Sequence, residues 1–154
     1  MAKFVYRMQN VLDIKMRLET QAKTNYAEKN AALQLEEDKM RKLLIRMREY
    51  ETQAKENSIG VVNISEIRRC NEAAKIIKEY VRQQAVQIRV AQKNLEKARD
   101  ELSEAMKDRK IHEKLKEKAF DEFKLELNDQ EKKEIDEIVS YRFTADSEKD
   151  IKEK

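Results

Sequence analysis

The chain of 154 residues contains neither proline nor tryptophan, and it has one glycine, one cysteine and one histidine. Without proline, and with a single glycine, almost nothing in the sequence interrupts a helix. The shortage of glycine also excludes a glycine-rich loop that would bind phosphate groups. One cysteine excludes an intrachain disulfide, and one cysteine with one histidine cannot form a zinc site by themselves.

Apolar residues are scarce too, because 42% of the residues are charged and the mean hydropathy is -0.94. This composition is typical of long helices. No segment approaches the ~18 apolar residues of a membrane span, and the N-terminus lacks the apolar segment of a signal peptide. Basic and acidic residues interleave along the chain, although residues 111–154 form an acidic end. We therefore expect a cytosolic protein that neither inserts directly into a membrane nor binds nucleic acid.

The second half of the chain keeps a seven-residue apolar repeat for six heptads. The first series comprises Ile67, Ala74, Val81, Ile88, Leu95 and Leu102, and its companion comprises Cys70, Ile77, Gln84, Ala91, Ala98 and Ala105. A narrow stripe with a period of ~3.5 residues is typical of a coiled coil, in which these seam positions face a partner helix.

The first half of the chain carries a less regular stripe. Its first series is Phe4, Met8, Val11, Leu18 and Ala22, and its second is Tyr26, Leu33, Met40, Met47 and Ala54. The change of register between the two series predicts a stutter, which locally relaxes the supercoil.

The pattern as a whole predicts an all-α fold in which two long helices form an antiparallel coiled-coil hairpin. We expect one domain over residues 1–142, with a helix at 2–56, a tip loop at 57–63 and a helix at 64–142, followed by a polar, frayed tail at 143–154. Gly60 supplies a left-handed residue at the tip, and Asn63 with Glu66 forms a capping-box-like start to the second helix. Antiparallel pairing places Gln84 near Glu36, where this polar pair would fix the register.

The second helix is longer than the first, so beyond residue 119 it is predicted to overhang without a partner. Apolar residues recur there near one helical face. They are Phe120, Phe123, Leu127, Ile135, Ile138 and Tyr141. Leaving such a stripe in water is unfavourable, which suggests docking onto another protein, self-association or a frayed helix.

No group of residues points to catalysis. His112 continues the companion seam series, where a half-buried ring is the ordinary interpretation, and Cys70 in that series has a packing role. Paired carboxylates are abundant, but two helices offer no water-excluded pocket that would tune them. We expect no enzyme, no catalytic residue, no cofactor, no metal and no small-molecule substrate.

Two terminal segments carry a family resemblance. Residues 4–13 read FVYRMQNVLD, residues 113–118 read EKLKEK, and residues 131–138 read EKKEIDEI. In this order, and with the predicted hairpin, they resemble the flagellar export protein FliJ family.

The resemblance implies a soluble stalk-like component of the bacterial flagellar type III export apparatus. Members bind a hexameric export ATPase and promote its assembly and activity, touch the membrane export-gate protein and recycle export chaperones, at the inner face of the membrane at the flagellar base. The ATPase contacts that the resemblance implies are Phe4, Met8, Phe120, Phe123, Leu127, Ile135, Asp136, Glu137 and Ile138.

The gate contact of the family falls near Leu43, Tyr50, Ile67 and Ala74. This sequence departs from some relatives nearby, because it has Arg46, Asn71 and Lys78 where they carry aromatic, apolar or histidine residues. Leu43 and Ile67 also have a plain seam explanation. Alternatives to the export stalk are a structural coiled-coil dimer, a holdase-type chaperone, or the equivalent stalk of an injectisome or rotary ATPase.

Overall fold

The structure is a computed structural model, and it describes residues 2–152, with side chains described up to residue 145. Two helices make up almost all of it: α1 spans Gln9–Glu56 and α2 spans Ile64–Lys152. No strand occurs within residues 2–152. The helices pack against each other and α2 is the longer, which confirms the predicted all-α hairpin.

The two ends of the hairpin differ in part from the prediction. Helix α1 begins at Gln9 rather than at residue 2, and residues 2–6 have no regular structure. Helix α2 continues to Lys152, beyond the predicted end at residue 142. The last residues are mostly polar, but they include neither glycine nor proline, so nothing ends the helix at residue 142. Within the helix, the Thr144 hydroxyl donates a hydrogen bond to the Ser140 carbonyl oxygen at 2.8 Å. Residues 153 and 154 of the predicted tail lie outside the described part.

The tip loop is closed by local hydrogen bonds. The Ser58 hydroxyl donates to the Lys55 carbonyl at 2.6 Å, and Gly60 has a φ of 78°, the left-handed conformation predicted for it. The Asn63 side chain accepts a hydrogen bond from the Glu66 amide at 3.3 Å and so caps α2. Glu66 does not complete a capping box, because its carboxylate pairs with Arg69 at 2.9 Å.

The chain forms two compact units. Unit 1 comprises Met1–Arg17 and Lys107–Lys154, and unit 2 comprises Leu18–Met106. Each unit contains a stretch of both helices. The expectation of one domain over residues 1–142 stays a prediction.

Every seam position predicted on α2 between Ile67 and Ala105 is buried or half-buried. Cys70, Ile77 and Ala98 are the most enclosed of them. The Cys70 thiol lies 3.7 Å from the Gln53 side-chain oxygen, which places it in the interface between the helices of unit 2. Their burial is the one expected for seam positions that face a partner helix.

The predicted stutter in α1 is wrong. Burial along α1 follows one uninterrupted seven-residue period, in the series Leu12, Glu19, Tyr26, Leu33, Met40, Met47 and Ala54. Leu18, assigned to the seam from its apolar character, is 45% exposed, whereas its neighbour Glu19 is only 4% exposed. The geometry of two supercoiled helices sets the period of burial, so a charged residue enters the seam where the register demands it.

Candidate functional site

An aromatic cluster joins the N-terminal segment to α2 within unit 1. The Phe4 ring lies 5.1 Å from the Phe120 ring and 5.4 Å from the Phe123 ring, measured between centroids. The Phe4 and Phe120 rings meet edge to face, at 67° between their planes. The Lys124 ammonium lies 4.8 Å from the centre of the Phe120 ring, on the same cluster.

This cluster corrects the prediction that α2 has no partner beyond residue 119. The prediction assumed that α1 is helical from residue 2, with a rise of ~1.5 Å per residue. Residues 2–6 are not helical, and a non-helical chain can span ~3.3 Å per residue, so Phe4 reaches farther along α2. Phe120 and Phe123 therefore contribute to internal packing. Leu127 is half-buried, and Met8 is exposed.

Charged residues surround the remaining contact between the helices of unit 1. Lys15 pairs with Asp108 across the two helices at 3.4 Å, and Arg109 pairs with Glu113 along α2 at 2.7 Å. The His112 ring is half-buried, as predicted, and its Nδ1 atom is buried without a hydrogen-bond partner in the described part of the chain. Unit 1 thus adds ion pairs and aromatic contacts to an apolar seam that includes Leu12, which is 2% exposed.

Residues 128–144 form a continuous exposed stretch of α2, which we call the overhang. Ile135 is 59% exposed and Ile138 is 57% exposed, so both leave most of their apolar surface uncovered. Asp136 and Glu137 are also exposed. The overhang therefore combines an uncovered apolar stripe with carboxylates beside it.

Sequence reasoning missed two members of this stripe. Val139 and Phe143 are exposed large apolar residues of the overhang, in addition to Tyr141, which the predicted stripe included. Val139 follows Ile135 by four residues, so ordinary helical spacing would have found it. Phe143 was missed because the predicted helix ended at residue 142.

The four residues predicted for the gate contact lie in unit 2. Leu43, Tyr50, Ile67 and Ala74 are all half-buried, at seam positions of the two helices. Their burial follows from the hairpin itself, and only part of each side chain remains accessible to a partner. The neighbouring Arg46, Asn71 and Lys78 are exposed.

A polar pair interrupts the apolar seam of unit 2, as predicted. The Gln84 side-chain amide donates to the Glu36 carbonyl oxygen at 2.9 Å and also to the Glu36 carboxylate. Lys39 donates to that carboxylate at 3.0 Å. The hydrogen bond from Gln84 and then that from Lys39 lower the pKa of Glu36 below its ordinary value of 4.5. The pair therefore forms a polar cross-link between α1 and α2 at this level of the seam.

The tip loop is unexpectedly apolar. Ile59, Val61 and Val62 of the loop and Ile64, the first residue of α2, are exposed, and Val61 is 96% exposed. No acid or base occurs among residues 57–65 of a chain in which charged residues are abundant. From the sequence, this loop was predicted only as the boundary between the helices, although its apolar and uncharged composition is evident there.

Among residues 2–152, no group of three His, Cys, Asp or Glu side chains is arranged to hold a metal ion. Within the same range, neither helix has a stretch long and apolar enough to cross a membrane.

The fold and its exposed residues define a class: a two-helix hairpin with an internal seam and uncovered apolar surface near one end of its longer helix. The family model for the flagellar FliJ protein matches residues 4–148, so the chain belongs to the FliJ family. This family is a non-catalytic component of flagellar type III protein export. No curated protein and no solved structure matches the chain.

Proposed function

We propose that this protein is the stalk of the hexameric flagellar export ATPase, which it binds through the overhang and whose assembly and activity it promotes. The uncovered apolar stripe of the overhang carries this proposal. Fully burying one large aliphatic side chain is worth ~1.5–3 kcal/mol, and Ile135, Ile138 and Val139 are each more than half exposed. Docking of this stripe into the ring would recover part of that free energy.

The residues implied by the family resemblance divide into two roles under this proposal. Ile135 and Ile138 provide apolar contacts, and Asp136 and Glu137 offer carboxylates to cations of the ATPase. Phe4, Phe120 and Phe123 hold the base of the overhang in place, because their rings pack on one another. Met8 and Leu127 add accessible surface beside this cluster.

The other partners follow from the family. We propose that Leu43, Tyr50, Ile67 and Ala74 contribute the contact with the export-gate membrane protein, through the accessible part of each side chain. The protein also escorts export chaperones. It works in the cytoplasm, peripherally associated with the inner face of the membrane at the flagellar base.

The test is ATP hydrolysis by the export ATPase of the same organism, with and without this protein. The Ile135→Asp/Ile138→Asp variant should lose most of the stimulation while its helicity stays unchanged, because both side chains are exposed. The matched control is Ile111→Asp/Leu115→Asp, which places the same two charges on exposed apolar residues of α2 outside the overhang. Substitution of Phe123 is less informative, since it also breaks the contact with Phe4.

Full stimulation by the overhang variant, or an equal loss in the control, would contradict docking through the overhang.

The same uncovered stripe also favours a second function, a structural coiled-coil dimer or holdase in which the overhang pairs with its own copy. Light scattering separates the two, because an obligate dimer would not show the mass of 18.4 kDa calculated for one chain.

A further inference from the structure

Four aliphatic side chains are exposed where α1 connects to α2, and we call them the apolar tip: Ile59, Val61, Val62 and Ile64. Val61 is 96% exposed, and each of the other three is more than half exposed. They lie within residues 57–65, the longest uncharged run of the chain. Exposed apolar side chains that are grouped in this way on a highly charged protein mark a contact with another protein or with a lipid bilayer.

The polar groups beside the apolar tip are largely bonded within the loop. The amides of Ser58 and Ile59 continue the last turn of α1, at 3.1 and 3.2 Å from their acceptor oxygens. The Asn63 amide closes the loop by donating to the Asn57 carbonyl at 3.4 Å. The Ser58 hydroxyl and the Asn63 side chain already cap the helix ends. Such a loop loses few hydrogen bonds to water when it enters a less polar environment.

Cations border the apolar tip. Residues 55–69 carry three bases and two acids, a balance of +1. One of the acids, Glu66, pairs with Arg69 at 2.9 Å. Lys55 and Arg68 are exposed, and within the part of the chain whose side chains are described they form no ion pair. The overhang, by contrast, carries five acids and three bases. Anionic lipid headgroups therefore attract the surface around the apolar tip and repel the overhang.

A lipid surface fits the apolar tip better than the pocket of a partner protein does. Residues 57–65 contain no aromatic and no charged side chain. Tryptophan, tyrosine and arginine dominate the energetics of protein interfaces, whereas valine is under-represented among the residues that carry the binding energy. A bilayer has no fixed shape to match, so aliphatic side chains gain from it in proportion to the apolar area that they bury.

We propose that the apolar tip inserts shallowly into the surface of an anionic lipid bilayer, with Lys55 and Arg68 among the headgroups. Its side chains hold about as many carbon atoms as one myristoyl chain, which binds membranes reversibly with an association constant of ~10⁴ M⁻¹. Attraction of the two cations to anionic lipids supplies the second signal that stable anchoring needs. The expectation of no direct insertion was drawn from the lack of a spanning segment, which a shallow contact does not require.

The lack of tryptophan in the chain allows a direct test. In the full-length protein, Val61→Trp places a single fluorophore in the apolar tip, and Ile111→Trp places one at an exposed apolar position of α2 in unit 1. Each variant is titrated with vesicles of phosphatidylcholine alone and of phosphatidylcholine mixed with phosphatidylglycerol. With the anionic vesicles, we expect the emission of Val61→Trp to shift to shorter wavelength and that of Ile111→Trp to stay unchanged.

A second measurement compares the wild-type protein with charge variants by sedimentation with the same vesicles. Val61→Asp/Val62→Asp should weaken binding by at least about tenfold, because it removes two aliphatic contacts and adds two charges that anionic lipids repel. The matched control, Ile111→Asp/Leu115→Asp, makes the same change on exposed residues of α2. It leaves the apolar tip unchanged, so binding should change by less than about twofold.

The role of the cations is tested by Lys55→Gln/Arg68→Gln. This variant should weaken binding to the anionic vesicles by roughly fivefold per cation and leave any binding to neutral vesicles unchanged. Equal binding of the wild-type protein to the two kinds of vesicle would overturn the anionic contact.

Absence of binding to the anionic vesicles would overturn the proposal. So would binding that leaves the emission of Val61→Trp unchanged, or equal weakening by the tip variant and its control, because the protein would then bind through another surface. Binding to the isolated export-gate protein that needs the apolar tip, without vesicle binding, would make a protein its occupant instead. A mass above the 18.4 kDa of one chain that Val61→Asp/Val62→Asp abolishes would make a second copy the occupant. None of these measurements uses the ATPase, so failure here and failure of the proposed function are distinguishable.

Discussion

Replacement of Glu19 by lysine is expected to destabilise this protein. Glu19 occupies a seam position of α1 and is 4% exposed, and its carboxylate lies 3.0 Å from the Lys23 ammonium. The variant removes a buried carboxylate from its interactions and places a second cation beside Lys23. A buried charge without a partner of opposite sign is unfavourable, because nothing offsets its desolvation.

The magnitude follows from the cost of breaking a buried ion pair, which is ~3–5 kcal/mol when one partner is removed. Lys23 is 60% exposed and stays hydrated, which lowers this cost. We expect the free energy of unfolding to fall by about 2–4 kcal/mol, which corresponds to a decrease in Tm of roughly 4–16 °C in a chain of this size.

The assay is thermal and urea unfolding followed by far-UV circular dichroism, with Leu18→Ser as the paired variant. Leu18 is 45% exposed and lies outside the observed seam, so Leu18→Ser should change the free energy of unfolding by less than ~0.5 kcal/mol. The stuttered register inferred from apolar residues alone predicts the reverse. A Glu19→Lys variant that loses less than ~0.5 kcal/mol, together with a Leu18→Ser variant that loses more than ~1.5 kcal/mol, would refute the register described for α1.

Two further predictions concern the polar pair of unit 2 and the aromatic cluster of unit 1. Folding lowers the pKa of Glu36 below 4.5, so near that pH the unfolded state binds more protons than the folded state. The contribution of Glu36 to stability is therefore present above pH 4.5, and it is lost as the pH falls through the folded pKa. In urea unfolding, the difference in the free energy of unfolding between wild type and Glu36→Gln should therefore be larger at neutral pH than in acid. A difference that does not change with pH would contradict this assignment. Phe4→Ala should cost roughly 1–3 kcal/mol, below the ~3–5 kcal/mol of a fully buried phenylalanine, because Phe4 is half-buried. Hydrogen exchange should show faster opening around Phe120 and Phe123 in this variant, and unchanged protection there would argue against the cluster.

Much of the fold could be predicted from local features of the sequence. The absence of proline, the seven-residue repeat from Ile67 to Ala105 and the cluster of Asn57, Ser58 and Gly60 were enough for two helices, their seam on α2 and the tip loop at residues 57–63. These features depend on backbone propensity and on periodic burial, which act over a few residues and therefore leave a mark in the sequence. The exposed stripe at Ile135 and Ile138 was predictable for the same reason.

The site was predictable only where it depends on the sequence pattern. The resemblance of both termini to the FliJ family agrees with the family match over residues 4–148. It could not show which of the implied residues are already used inside the molecule. Phe120 and Phe123 meet Phe4 across more than a hundred residues of chain, and a pairing of that range has no local signal.

Composition and periodicity thus determined by themselves that the chain forms two helices with one glycine-containing turn, because charged, proline-free sequence has few other ordered states. The tertiary structure decided the register of α1, in which Glu19 and not Leu18 enters the seam. It also decided that Phe4 of the non-helical N-terminal segment packs on Phe120. Each depends on which residues of one helix meet which residues of the other, and that choice is made by the packing of the whole interface rather than by any residue alone.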